Sequence, residues 1–173
     1  IKEKYPEKKH RISCIASSKH THRLSFLKRM SRNCDIHLYG RGHSDYHNNG
    51  AYKGSLEYNG NCKLAGLQPY EYTVVLENSQ EKNYWTEKLA DAFLSWSVPV
   101  YWGCPNISDF FEKKSYHTVD IDDPAPGDTI EEIIHTPVTY ENIEALEKSR
   151  RLILEKYNIW EVISEKIQEI ESE

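Results

Sequence analysis

No two cysteines in this 173-residue sequence stand close enough to share a metal: Cys14, Cys34, Cys62 and Cys104 are 20, 28 and 42 residues apart, with no CxxC pair. A zinc site is therefore not expected, and reduced thiols in packing or surface positions are the plainer reading. The eight histidines, His20, His22, His43 and His47 among them, show no HExxH spacing and read as exposed loop residues. Long apolar runs are missing too. Nothing approaches the roughly 20 consecutive apolar residues that cross a bilayer, and the opening IKEKYPEKKHR has no apolar stretch of the signal-peptide kind. Excess positive charge is also absent. With 22 Lys and Arg against 27 Asp and Glu the net charge is −5, so the chain as a whole attracts neither a nucleic-acid backbone nor an anionic membrane. Any anion site must be local.

What is present is an ordinary globular composition, 38% hydrophobic and 28% charged, well away from disordered chains and long enough for one core. The sequence begins at Ile1 in a highly charged stretch and is expected to be a piece cut at a linker, with residues 1–10 as that linker and more chain upstream. RISCIA (11–16) reads as a buried strand followed by the SSKHTH loop. Leu24, Leu27 and then Phe26 or Met30 give one apolar stripe on a basic helix over 23–32, and DIHLY (35–39) is a second strand. The Gly-, Asn- and Tyr-rich run from Gly40 to Gly60 reads as a functional loop. YTVVL (72–76) is the clearest strand, its unbroken apolar character suiting a central position. Trp85, Leu89, Ala92, Phe93 and Trp96 recur at helical spacing, which predicts an amphipathic helix over 84–95. VPVYW (98–102) and 116–120 are further strands. Past Pro124-Ala-Pro126-Gly127, segments 139–157 and 159–171 read as two tail helices. Strands alternating with helices predict a doubly wound, mostly parallel α/β sheet.

In such sheets ligands bind beyond the carboxyl ends of the strands, and the polar residues gather there. Ser17, Ser18, Lys19, His20 and Arg23 follow the first strand; Gly40, Arg41 and Gly42 follow the second; Glu77 and Asn78, then Tyr84, Glu87 and Lys88, follow YTVVL. Arg23, Arg41 and Lys88 come from three separate loops and could converge beside helix N-termini, which would make a phosphate site. The competing arrangement pairs Lys88 with Asp91 and leaves Arg23 and Arg41 in solvent.

From Tyr72 on, the run YTVVLENSQEKNYWTEKLADAFLSWSVPVYWG closely resembles the donor-binding signature of glycosyltransferase family 10, the α1,3/4-fucosyltransferases. The ENS triplet, the Tyr-x-Thr-Glu-Lys-Leu helix start and VPVYWG carry it, and weaker similarity runs from Arg11 through the tail helices. The resemblance implies a Rossmann-like fold over 11–138 with C-terminal helices at 139–173 packed on the same domain, together the second half of a GT-B arrangement. It implies a GDP-sugar donor, GDP-fucose, and a glycan acceptor met through a first half that this chain does not contain. By motif, Lys88 and Arg23 match phosphate-binding residues, Glu87 matches the acceptor of donor hydroxyls, and Asn78 and Tyr84 match the lining of the donor pocket. With Arg41, Glu77 and Thr86 these make the expected nucleotide-sugar site. The catalytic base is expected in the absent half and no metal cofactor is implied. The GRGHSDYHNNG loop matches nothing assignable, so guanine contacts stay open.

Two rival readings remain: a nucleotide-binding α/β module without transfer chemistry, and a metal-dependent transferase using the DxD at Asp120 and Asp122, which otherwise reads as a solvated turn. A sequon at Asn106-Ile107-Ser108 beside the expected site favours a bacterial, cytoplasmic origin over a Golgi lumen, and leaves room for peripheral membrane association of a full-length enzyme. No nucleic-acid partner is expected.

Overall fold

In the computed structural model of the chain, residues 4–17, 19–42, 50–56 and 62–172 are described. Strands form where β-branched and aromatic residues run together. The run YEYTVVL is β4 (Tyr70–Leu76); VPVYW, which is β5 (Val98–Trp102), is buried along its whole length. β1 (His10–Ile15), β2 (His37–Tyr39), β3 (Tyr52–Gly54) and β6 (His117–Thr118) complete a six-stranded sheet of order β3-β2-β1-β4-β5-β6. Every neighbouring pair is parallel. The chain moves outward from β1 to β3 and then returns to β4 on the other side of β1. That reversal is the switch point of a Rossmann-like doubly wound sheet, and it opens a crevice beyond Ile15 and Leu76.

Helices cover both faces. On one, Tyr72 Oη donates to Thr136 O (2.7 Å) just after α4 (Pro126–His135), and α1 (Thr21–Met30) buries Phe26, Leu27 and Met30. On the other, Ser13 Oγ donates to Gly66 O (2.7 Å) and Ser97 Oγ to Leu67 O (2.7 Å), both just after α2 (Cys62–Ala65). Strand alternation requires this split, because Ser13 and Tyr72 lie at opposite parities of a paired register.

α3 (Glu87–Leu94) buries Leu89, Ala92 and Phe93 completely, each large side chain contributing about 1.5–3 kcal/mol. Trp96 follows at a left-handed φ of 60°, a conformation bulky residues rarely adopt. Two partners hold it there: Tyr5 edge-on at 6.0 Å and the Arg150 guanidinium at 4.3 Å. Arg150 belongs to α5 (Tyr140–Glu155), which starts on a Thr139–Asn142 capping box. Its guanidinium also donates to the carbonyls of Phe93 and Leu94, closing the end of α3. α6 (Ile159–Ser172) leaves Ile159, Trp160 and Ile170 more than two-thirds exposed. None of the described helices is long and apolar enough to cross a membrane.

Several sequence expectations shift. The stretch expected as a linker lies against the domain from Tyr5 onward: Lys8 Nζ bonds Gln68 O (2.9 Å) and Lys9 N–H bonds Pro69 O (2.8 Å). α4 was not anticipated because Pro124–Gly127 reads as a break. Pro126 is instead the first helical residue, where its missing N–H has no partner to lose. β3 and α2 lie inside the segment expected as loop or next to it, too short for any periodicity to show. Of the Gly40–Gly60 loop, residues 43–49 and 57–60 lie outside the described residues, as does Ser18 of the first loop.

A cationic cleft at the switch point

The crevice beyond β1 and β4 is an open cleft of about 660 Å³. Among the described residues its wall carries five cationic side chains, Lys19, Arg23, Arg41, Lys63 and Lys88, and one carboxylate, Glu87. A chain of net charge −5 therefore concentrates positive charge at one place, and that place is the ligand edge of its sheet. The cations arrive from the loops after β1 and β2 and from the starts of α1, α2 and α3.

Arg23 carries most of the argument. It is 5% exposed, its Nη1 donates to Leu76 O (3.2 Å), and its Nε has no hydrogen-bond partner. It forms no salt bridge among the described residues. Burial presses on its charge, opposed by Cys14, Glu77 and Tyr84 at longer range. A buried cation with an unfilled donor is costly unless something anionic completes it.

Lys88 is held from below. Glu77, fully buried at the end of β4, accepts from the Thr86 N–H (2.9 Å), the Thr86 hydroxyl (2.7 Å) and Lys88 Nζ (3.1 Å). Lys88 Nζ also donates to Thr86 Oγ1 (3.0 Å), and Thr86 Oγ1 accepts from the Lys88 N–H as the N-cap of α3. Asp91 pairs with Lys63 (2.6 Å), so the Lys88–Asp91 arrangement weighed from the sequence is not formed. Glu77, expected among the site residues, has its carboxylate beneath the cleft, where it organises the residues that line it. Thr86 and Tyr84 are likewise absent from the wall, Thr86 as the cap and Tyr84 half-buried near Arg23 and Tyr101. Asn78, Arg41 and Glu87 line the cleft from exposed positions.

The VPVYWG end packs against this unit. Glu77 N–H donates to Trp102 O (3.0 Å), and a Cβ on Gly103 would come within 2.5 Å of both Glu77 Cγ and Tyr101 Oη. Only glycine leaves room for the carboxylate. Gly103→Ala is accordingly expected to destabilise the chain by about 1–3 kcal/mol through overpacking, read as a lower urea midpoint with unchanged m-value.

Glu87, 62% exposed, stands between Lys88 (3.7 Å) and Lys63 (3.9 Å). Partial burial works against its charge, but Lys88 and Lys63, with hydrogen bonds from Thr86 and its own backbone, hold its carboxyl below the ordinary value. Lys63 is the site residue that sequence reading missed, being one lysine in a four-residue helix with no pattern around it.

The sequon residue Asn106 is occupied. Its amide accepts from the Asn83 N–H (2.9 Å) and donates to Asn83 Oδ1 and Asp109 Oδ2 (both 2.8 Å). This clamp fixes Asn83 at φ 62°, a left-handed position that asparagine tolerates, and so sets the entry to Tyr84. The DxD forms a turn, with Asp120 Oδ1 accepting from the Asp122 N–H (3.0 Å), and neither residue lines the cleft. A second groove of about 550 Å³ lies beside α5, but its Lys148 is paired with Glu112 (3.1 Å) and its Arg151 with Glu147 (3.0 Å). Its third cation, Lys156, is exposed and stands over the Tyr157 ring (5.5 Å), and none of the three is buried.

A family model described as glycosyltransferase family 10 (fucosyltransferase) C-term matches residues 5–133. Among curated proteins, alpha-(1,3)-fucosyltransferase FucT of Helicobacter pylori is 37% identical over 70 residues, covering 40% of this chain and 15% of that protein. Human 4-galactosyl-N-acetylglucosaminide 3-alpha-L-fucosyltransferase 9 is 31% identical over 106 residues, covering 60% of this chain and 26% of that protein. A crystal structure of an alpha1,3-fucosyltransferase with GDP superposes with a TM-score of 0.61 at 22% identity, over 88% of this chain and 49% of that one. One with GDP-fucose gives 0.57 at 24% identity with the same coverage. The structural likeness establishes the fold, and the chain spans from 15% to 49% of the length of these relatives.

Proposed function

The chain belongs to glycosyltransferase family 10, the fucosyltransferases, through the C-terminal region of that family, and from that premise we propose that its cleft binds a GDP-sugar donor, GDP-fucose, for inverting transfer to a glycan acceptor. The observation that carries this reading is Arg23, a buried cation with an unfilled donor at the switch point. A diphosphate there would complete Arg23 and meet Lys88, which Glu77 already holds in place. As the sugar–phosphate bond breaks, charge gathers on departing GDP, and these two fixed cations stabilise it without reorganisation. Glu87, at the first turn of α3, is placed to accept donor hydroxyls.

The acceptor hydroxyl needs a base whose pKa lies near working pH. Among the described residues Glu87 is the carboxylate of the wall, and the ammonium groups on either side move its pKa away from that range. We therefore assign the base to the remainder of the polypeptide. The 173-residue chain should bind donor without transferring it, and with Arg23 and Lys88 neutralising the diphosphate it should need no metal.

The test is thermal and urea unfolding with GDP or GDP-fucose in EDTA. At a hundredfold excess over Kd the expected gain is about 2.7 kcal/mol, or roughly 5–10 °C in Tm. UDP and ADP should give less. Protection that appears only with manganese would replace this reading by the metal-dependent one.

A further inference from the structure

His20 is the N-cap residue of α1, and its ring makes no cap bond to the helix it begins. It lines the cleft, one helical turn before the buried, unfilled Arg23. The charged and titratable groups around it are Lys19, His22 and Arg23 from its own segment and Lys88 from α3, with Arg41, Lys63 and Glu87 completing the wall. The His22 ring stands 5.9 Å away. The start of α1 meets the cationic cleft at His20 and Arg23, and a helix start is suited to an anion. Here it also presents a side chain able to supply one or two further donors, depending on its protonation.

Resting on the donor-site reading above, we infer that His20 is a ligand of the donor diphosphate and takes up a proton as the anion enters. In the empty cleft the ring has every reason to stay neutral. Arg23 above all, then desolvation, His22, Lys88 and Lys19 hold its pKa below the ordinary histidine value. A diphosphate brings negative charge into the same space and reverses the field. The imidazolium then becomes the favoured form, because a charge-assisted hydrogen bond to phosphate is stronger than a neutral one. A permanently charged side chain at this position would repel Arg23 and Lys88 whenever the cleft is empty. Histidine is charged only while the anion is there to compensate it.

The sign follows from linkage. The ring's pKa is lower in the free protein than in the complex. Between those two values binding takes up a proton, so affinity rises as pH falls through that window. Above the bound-state value the ring is neutral in both states and affinity is flat.

The experiment is isothermal titration of the 173-residue chain with GDP-fucose between pH 6 and pH 8, in two buffers of different ionisation enthalpy. GDP-fucose is the probe because its esterified diphosphate keeps a constant charge over this range, whereas free GDP titrates. The wild-type chain should take up a fraction of a proton and bind about three- to tenfold more tightly at pH 6 than at pH 8. In His20→Gln the proton uptake should vanish and the affinity should become flat with pH. His22→Gln should behave as wild type. Binding without proton uptake in the wild-type chain, or uptake that persists in His20→Gln, overturns the assignment of His20 and leaves the donor site standing. Absence of GDP-fucose binding by every variant at every pH overturns both.

Discussion

Arg23→Met is expected to lose donor affinity and gain stability at once. The guanidinium is 5% exposed, has one hydrogen bond to Leu76 O (3.2 Å) and leaves Nε unfilled. A charge-assisted contact to phosphate is worth about 1.5–3 kcal/mol, so GDP-fucose should bind about ten- to a hundredfold more weakly. Without ligand, methionine fills similar volume in the helix and removes a buried cation that has no close counter-ion. Replacing even a buried ion pair by apolar groups of similar volume is often neutral or stabilising by about 1–4 kcal/mol, and among the described residues Arg23 has no paired carboxylate to lose. The forfeited bond to Leu76 takes back about 1 kcal/mol, which leaves a net gain on the order of 1 kcal/mol. Urea unfolding and isothermal titration on the same sample separate the two effects. Reduced stability with unchanged affinity would make Arg23 a structural residue.

Glu77→Ala is expected to be the most damaging single change in the cleft region. It deletes the acceptor for the Thr86 N–H, the Thr86 hydroxyl and Lys88 Nζ and leaves the α3 cap without its anchor. Breaking a buried ion pair from one side costs about 3–5 kcal/mol. Lys88 is 26% exposed and can partly resolvate, which lowers that figure, while the stranded Thr86 N–H adds about 1–3 kcal/mol. A loss of about 3–5 kcal/mol corresponds to roughly 6–20 °C in Tm for a domain of this size. Glu77→Gln keeps the volume and one acceptor oxygen, so it should fall between wild type and alanine. A Glu77→Ala midpoint within experimental error of wild type would show that the carboxylate does not hold this turn.

These two residues show what chain order makes legible and what it does not. Both were placed in the site because they follow a strand at its carboxyl end, and parallel strands put all such ends on one side of a sheet. Their roles were not legible in the same way. Glu77 was grouped with the ligand-binding residues, yet it lies under the cleft. The reason is the turn after β5, where Gly103 leaves space for the carboxylate and where Trp102 O receives the Glu77 N–H.

What the sequence by itself determined is whatever depends on near neighbours. The apolar run Tyr72–Leu76 specifies a central strand and Val98–Trp102 a further one, and the spacing of Leu89, Ala92 and Phe93 specifies the buried face of α3. The motif from ENS to VPVYWG then marks the family. Short elements such as β3 and α2, at three and four residues, hold too few positions for a period to show, and exist because neighbouring elements pair with or pack on them. Tertiary structure alone decided which cations are buried and which are paired. Arg23 lies against the carbonyl of Leu76, 53 residues along the chain, and Lys63 reaches Asp91, 28 residues on. Desolvation of a charge depends on everything that packs around it, and no window along the chain contains that information.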